Sequence, residues 1–317
     1  MRFYLIVCLL YAMLLANDIT PRLTIEASGN VQNIVMQGTK IVAGTNAGTI
    51  EIYNISDGKL LKKITFEAIK DFTGEWMAPK VFSVDALEGS ETYLAVVQAT
   101  GGARRLVVIE NGVQKEVIQA SENMFITKAK FIDSHRVLIG LMSNELALID
   151  TKTAEKKYQV QINPSHFSDF ALNESKSLVA STCESGEVTI SDVASGKILN
   201  VLSAGNVDNV YKLDFKNQKI LCAGQDRRGI VYDANSKKFD RYDAPFLIYA
   251  GALSPSAKLG AFAFNEQNDI VIFDLHVKSK LHTLKGQKST LNTIVFVNEK
   301  ELVSGSDDRF ILVWRLP

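Results

Sequence analysis

Residues 285–317 read KGQKSTLNTIVFVNEKELVSGSDDRFILVWRLP, and this stretch contains three strand-like runs separated by polar turns. The runs cover residues 291–297, 302–306 and 310–316. An Asp lies six residues before Trp314, in the turn that precedes the third run. A carboxylate in such a turn can accept backbone and side-chain hydrogen bonds. The stretch is therefore predicted to form most of one small antiparallel sheet.

The third run recurs along the whole chain. Taking Trp314 as the reference, the equivalent positions upstream are Phe273, Tyr232, Ser191, Ile149, Ile109 and Tyr53. Successive positions are 41, 41, 41, 42, 40 and 56 residues apart, and six of the seven precede an acidic residue or Asn. A period near 41 residues with about four short strands per repeat is typical of a β-propeller blade. The sequence thus predicts an all-β, seven-bladed β-propeller.

The last repeat lacks a fourth strand, and the N-terminal region has a strand to spare. Residues 22–27 form a strand-like run with no other strand of its repeat before it, and they are predicted to pair with residues 310–316. Such pairing closes the ring and covers an exposed sheet edge. The pattern from Ser304 to Trp314 resembles a WD40 repeat, S-G-S-x-D-x-x-I-x-V-W, with Gln287 where that family has His. The resemblance implies the same closure.

The first 16 residues are predicted to be a targeting segment. Met1 and Arg2 form a short positive end, residues 3–15 are apolar, and Ala16 precedes polar Asn17. A charged end followed by an apolar run too short for a membrane span is typical of a secretory signal peptide. We therefore expect cleavage near Ala16, a periplasmic protein without a stable membrane span, and one propeller over residues 17–317. A retained N-terminal anchor is the alternative.

Composition narrows the class of function. The chain is 46% hydrophobic and 22% charged, with 35 basic and 35 acidic residues, which indicates a globular protein and gives no reason to expect a nucleic acid partner. Cys183 and Cys222 are out of step in neighbouring repeats and are expected to be buried thiols. The histidines are dispersed. No catalytic motif, metal-binding spacing or cofactor motif is recognisable, so we expect none.

One break in the period marks a candidate binding element. Most of the extra residues in the 56-residue step lie in residues 67–80, which include Phe72, Trp76 and Met77. The loops of one propeller face are expected to present a set of protein-binding residues. These are Trp76, Met77, Arg104, Arg105, Arg227, Arg228 and Arg309. Aromatic and Arg side chains are common at binding hot spots. Alternatively, Trp76 is a plug packed over the first two blades, and the arginines are solvated hairpin tips.

Three hypotheses for function follow. The first is an exported, monomeric, non-enzymatic WD40-like scaffold that binds one or more proteins. Its overall plan resembles the periplasmic WD-repeat accessory proteins of bacterial periplasmic nitrate reductase systems, which implies a respiratory reductase as partner and no redox centre in this chain. The second is a propeller hydrolase or lactonase with a ligand or metal in the central channel. The third is an intracellular scaffold, if the signal segment is not cleaved.

Overall fold

The chain is described by a computed structural model over residues 17–317, and the predicted signal segment, residues 1–16, lies outside the described residues. Seven sheets hold most of these residues, and each contains four antiparallel strands arranged from the centre outward. The four strands follow chain order in six blades, the seventh takes its outermost strand from the N-terminal region, and one sheet carries a fifth strand at its outer edge. The innermost strands are β3 (Val31–Gln37), β9 (Val81–Ala86), β13 (Ile126–Phe131), β17 (Phe167–Leu172), β21 (Val210–Lys216), β25 (Gly251–Leu253) and β29 (Leu291–Asn298). The second strands are β4 (Lys40–Thr45), β10 (Thr92–Gln98), β14 (Arg136–Leu141), β18 (Leu178–Cys183), β22 (Lys219–Gly224), β26 (Leu259–Ala263) and β30 (Glu301–Ser306).

The outer half of each sheet completes the blade. The third strands are β5 (Thr49–Asn54), β11 (Arg104–Glu110), β15 (Glu145–Asp150), β19 (Val188–Asp192), β23 (Arg228–Asp233), β27 (Ile270–Asp274) and β31 (Phe310–Arg315). The outermost strands are β6 (Leu60–Thr65), β12 (Val113–Ile118), β16 (Lys156–Gln161), β20 (Ile198–Leu202), β24 (Phe239–Asp243), β28 (Ser279–Leu284) and, for the seventh blade, β2 (Leu23–Glu26). Three short strands and two 3-10 turns lie outside this scheme: β1 (Asn17–Ile19), β7 (Ile69–Lys70), β8 (Trp76–Met77), η1 (Thr100–Gly102) and η2 (Ala120–Glu122).

The innermost strands form a ring. Each contacts the innermost strand of the next blade, and β29 contacts β3 to complete the circle. Second strands such as β4 and β30 bury five consecutive residues, because both faces of a blade pack against neighbouring blades. Outer strands such as β16 are mostly exposed. The predicted all-β, seven-bladed β-propeller is thus confirmed.

An N-terminal strand closes the ring as predicted. β2 pairs antiparallel with β31, with Leu23 opposite Val313 and Ile25 opposite Ile311. Ile25 is buried in a cluster that joins the seventh and first blades. The strand before it was not predicted from the sequence: β1 adds in parallel to the outer edge of β28 in blade 6. The N-terminal segment therefore fastens two adjacent blades.

A buried chain of hydrogen bonds fixes the seventh blade. Trp314 Nε1 donates to Ser304 Oγ at 2.8 Å, and Ser304 Oγ donates to Gln287 Oε1 at 2.8 Å. Gln287 Nε2 donates to Ser306 Oγ, which donates to Asp308 Oδ1 at 2.7 Å. Asp308 Oδ1 also accepts the first backbone N–H of β31 at 2.8 Å, which confirms its predicted role in the turn.

Tight turns between second and third strands place residues at positive φ. Gly48 and Gly186 have φ of 73° and 83°, a region that favours glycine. In blade 5 the positive-φ residue is Arg227 rather than Gly229, which lies inside β23. Gly229 is small for another reason, since a Cβ there would lie 2.6 Å from the Phe262 ring. Cys183 and Cys222 are free and buried, as expected.

Candidate functional sites on the connector face and in the channel

The break in the repeat period forms a hairpin. β7 and β8 pair antiparallel, with Ile69 opposite Met77 and Lys70 opposite Trp76. Asp71 shapes the turn between them. Its Oδ1 accepts hydrogen bonds from two groups of Thr73, the backbone N–H at 2.8 Å and the hydroxyl at 2.7 Å. An Asp that bonds the backbone two residues on is a stable turn former, so the position of the hairpin tip is set locally. We call residues 69–77 the connector hairpin.

The connector hairpin exposes its large apolar side chains. Phe72 is 98% exposed, Trp76 is 70% exposed and Met77 is 40% exposed. Ile69 is buried and anchors the base, while the Lys70 ammonium lies 5.4 Å from the centre of the Trp76 ring. Trp76 is therefore not a buried plug over blades 1 and 2. Apolar area of this kind in water is unfavourable unless another surface covers it.

Arg104 links blade 2 to blade 3, and Arg105 links two strands within blade 2. The Arg104 guanidinium lies 3.9 Å from the centre of the Phe82 ring and donates to the Ile126 carbonyl at 2.7 Å. Arg105 forms an ion pair with Glu116 in the neighbouring strand. Both side chains therefore have partners within the propeller, although they lie next to the turn η1, which the connector hairpin contacts.

The remaining arginines lie elsewhere on the ring. Arg227 is exposed at a turn of blade 5. Arg228 lies 3.8 Å from Asp226 and donates to a backbone carbonyl in the blade 4–5 connection at 3.3 Å. Arg309 pairs with Glu26 in blade 7 at 3.2 Å. The structure brings Trp76 and Met77 together in one hairpin, but it places these three arginines on other blades.

The face of the propeller that carries the connector hairpin, here called the connector face, has a second apolar feature that was not predicted from the sequence. Phe125 and Met142, 47% and 40% exposed, line a cavity of about 610 Å³ with Met124. They come from the blade 2–3 connection and from the turn between β14 and β15. The signal was available, because Met124 and Phe125 are consecutive large apolar residues inside a connecting segment. We call this feature the Met–Phe groove.

The central channel is a separate, charged cavity of about 440 Å³. Its acidic side chains also join the blades. Asp85 Oδ2 accepts the Phe131 N–H of the next blade at 2.8 Å, and Asp169 Oδ2 accepts the Leu213 N–H at 2.9 Å. Sequence reasoning missed this lining. The usable signal is that charged residues recur in the innermost strands at the blade period, as with Lys128 and Asp169, which are 41 residues apart.

Residues 17–317 contain neither a metal-binding cluster nor a membrane-spanning helix. In this part of the chain, no group of three or more His, Cys, Asp and Glu side chains is arranged to hold a metal ion. The same residues include no helix long and apolar enough to cross a bilayer. Comparison with protein-family models and with curated proteins finds no match to this chain. The class that the fold defines is the seven-bladed β-propeller.

Proposed function

We propose that this propeller is a non-enzymatic scaffold that binds another protein through the connector hairpin. The observation that carries the proposal is the exposure of Phe72, Trp76 and Met77 on a turn that Asp71 holds in place. A preformed hairpin presents aromatic area with little ordering cost on binding, and aromatic anchors dominate many interfaces. The Met–Phe groove opens on the same face and supplies a pocket for a partner side chain.

We further propose that the partner is a component of a periplasmic respiratory reductase, of the nitrate reductase type. The support is the resemblance of blade 7 to a WD40 repeat and of the overall plan to periplasmic WD-repeat accessory proteins. The hydrogen-bonded chain from Trp314 through Ser304 and Gln287 to Asp308 gives that resemblance a structural counterpart. In this role the propeller assists a redox enzyme and contributes no redox centre.

The test compares Trp76→Ala with the parent protein. Because Trp76 is mostly exposed, its truncation should change the free energy of unfolding by less than about 0.5 kcal/mol. Partner binding should weaken by about 2 kcal/mol or more, as for an interface hot spot. Tagged parent and variant proteins would be recovered from the periplasm of the native host. Mass spectrometry of the co-purified proteins should find a reductase component with the parent only.

Val113→Ala is the matched control. Val113 is also 70% exposed, but it lies on the outer strand β12, away from the connector hairpin. It should retain the partner at the parental level. Retention of the partner by a folded Trp76→Ala protein would contradict docking through the hairpin. A retained partner unrelated to respiration would contradict the reductase proposal and leave the docking proposal standing.

A further inference from the structure

The central channel is lined by more basic than acidic side chains. Five lysines and four carboxylates line the cavity, so with all of them ionised it holds one excess positive charge. The groups are Asp85, Lys128, Lys130, Asp169, Glu174, Lys176, Lys212, Asp214 and Lys216. A buried or half-buried charge is costly unless it is paired and hydrogen-bonded. The position of the excess charge therefore depends on which groups have partners.

Two carboxylates near the cavity centre are already engaged. Asp169 accepts the Lys128 ammonium at 2.6 Å on one oxygen and a backbone N–H at 2.9 Å on the other. Asp85 accepts the Lys130 ammonium at 3.0 Å and a backbone N–H at 2.8 Å in the same way. These carboxylates combine a blade-joining bond with a lysine partner.

Four more lining groups, Asp214, Lys216, Glu174 and Lys176, also have partners. Asp214 accepts the Leu253 N–H at 2.8 Å and lies 3.2 Å from the Lys216 ammonium. Glu174 accepts a backbone N–H, and the Lys176 ammonium donates to a backbone carbonyl at 2.8 Å. Among the lining lysines, only Lys212 remains to be accounted for.

Two of the lining lysines, Lys176 and Lys212, form no ion pair within residues 17–317, and Lys212 is the one that also lacks the hydrogen bond that Lys176 makes. Within residues 17–317 the Lys212 ammonium makes no hydrogen bond and no ion pair within 4.0 Å. Burial lowers the pKa of Lys212; Asp169 partly offsets this effect, and the Lys128 and Lys130 ammonium groups lower the pKa further. An anion beside Lys212 would favour its charged form and would reduce the repulsion among the three lysines.

We propose that Lys212, together with Lys128 and Lys130, binds a small, multiply charged oxyanion in the central channel. The chemistry is that shared by inorganic phosphate and short dicarboxylates. A cavity of about 440 Å³ lies within the usual size range of small-ligand sites. The site is independent of the proposed docking role, because the channel lining and the connector hairpin share no residue.

The test is calorimetric titration of the purified protein with inorganic phosphate and, separately, with succinate, at constant ionic strength. The parent should bind at least one of them in a one-to-one ratio, and the tighter of the two identifies the anion class. Lys212→Met should weaken that binding about tenfold or more, the usual effect of losing a charge-assisted hydrogen bond. Lys212→Arg, which keeps the charge, should retain most of it.

Lys157→Met is the control for net charge. Lys157 lies on the exposed outer strand β16, where it pairs with Glu155. It removes the same charge and should leave anion binding unchanged. A second measurement uses the parent protein only, so it does not depend on whether Lys212→Met folds. Phosphate or succinate should protect Lys212 of the parent from acetylation, as measured by mass spectrometry. The proposal fails if neither anion binds, if Lys157→Met weakens binding equally, or if Lys212 gains no protection.

Discussion

Gln287 shows how one departure from a familiar motif can preserve its physical role. The side chain is 4% exposed and lies between two serine hydroxyls, accepting from Ser304 and donating to Ser306. A carboxamide offers both an acceptor and donors, so it can relay a hydrogen-bond chain at the position where WD40 repeats, which blade 7 resembles, have an imidazole. The sequence predicted the role of Asp308 in the turn and showed Gln287 at the position where WD40 repeats have His. It could not show that the relay survives, because that depends on distances between three strands and a loop.

Replacing Gln287 tests the relay. Gln287→Leu keeps similar bulk but leaves the hydroxyls of Ser304 and Ser306 without their partner in a buried site. An unsatisfied buried polar group costs about 1–3 kcal/mol, so the free energy of unfolding should fall by at least that amount. Gln287→His, which can both donate and accept, should be closer to the parent. Urea denaturation followed by circular dichroism measures both. A Leu variant as stable as the parent would show that the relay contributes little.

At the scale of elements, long periodic strands were predictable and very short ones were not. In all seven blades the repeat position predicted for the third strand lies inside that strand, because each third strand carries four or more residues of pattern. β1 has three residues, and β7 and β8 have two each. Segments that short show no alternation, and their pairing is decided by neighbouring elements. The insertion was therefore visible from its length and composition, but its hairpin form was not.

The closing strand β2 offers a matched pair of substitutions one residue apart. Ile25 is buried between blades 7 and 1, whereas Thr24 is exposed on the opposite side of the same strand. Ile25→Ala should lower the free energy of unfolding by about 2–5 kcal/mol, through lost burial and the cavity that remains. Thr24→Ala should change it by less than about 0.5 kcal/mol. Equal effects in thermal denaturation would argue against β2 as the seal of the ring.

At the scale of the whole molecule, the predicted binding residues divide into two groups. Trp76 and Met77 are exposed, as a docking surface requires, and composition alone pointed to them. Arg104 and Arg105 share the same region, yet their guanidinium groups have partners within the propeller, in blade 3 for Arg104 and in blade 2 for Arg105. A sequence names a residue type on a loop but not the partner that its side chain finds. The five lysines of the channel lining come from blades 3, 4 and 5. Their charges lie close together only in the assembled ring, so the sequence did not point to them.

Export is a property of the full chain and remains a prediction from residues 1–16. Mass spectrometry of the protein from its native host should show a chain that begins near Asn17, because cleavage is expected after Ala16. The fractionated periplasm should contain it. A full-length chain in the cytosolic fraction would contradict both the predicted compartment and the proposed reductase partner. It would favour the intracellular scaffold instead.

The seam between β2 and β31 also sets an order of events during synthesis. Arg22, just before β2, pairs with Glu301 at the start of β30, 279 positions away, so the two sides of the seam are translated at widely separated times. Loop-closure entropy grows only slowly with length, at about 0.6 kcal/mol per doubling, so equilibrium tolerates the separation. The folding rate is more sensitive to this separation, because pairings between residues far apart in the chain form late. A nascent chain therefore keeps an open edge on β2 until β31 has been translated, and a nonsense codon before β31 would leave the ring without its closing pair.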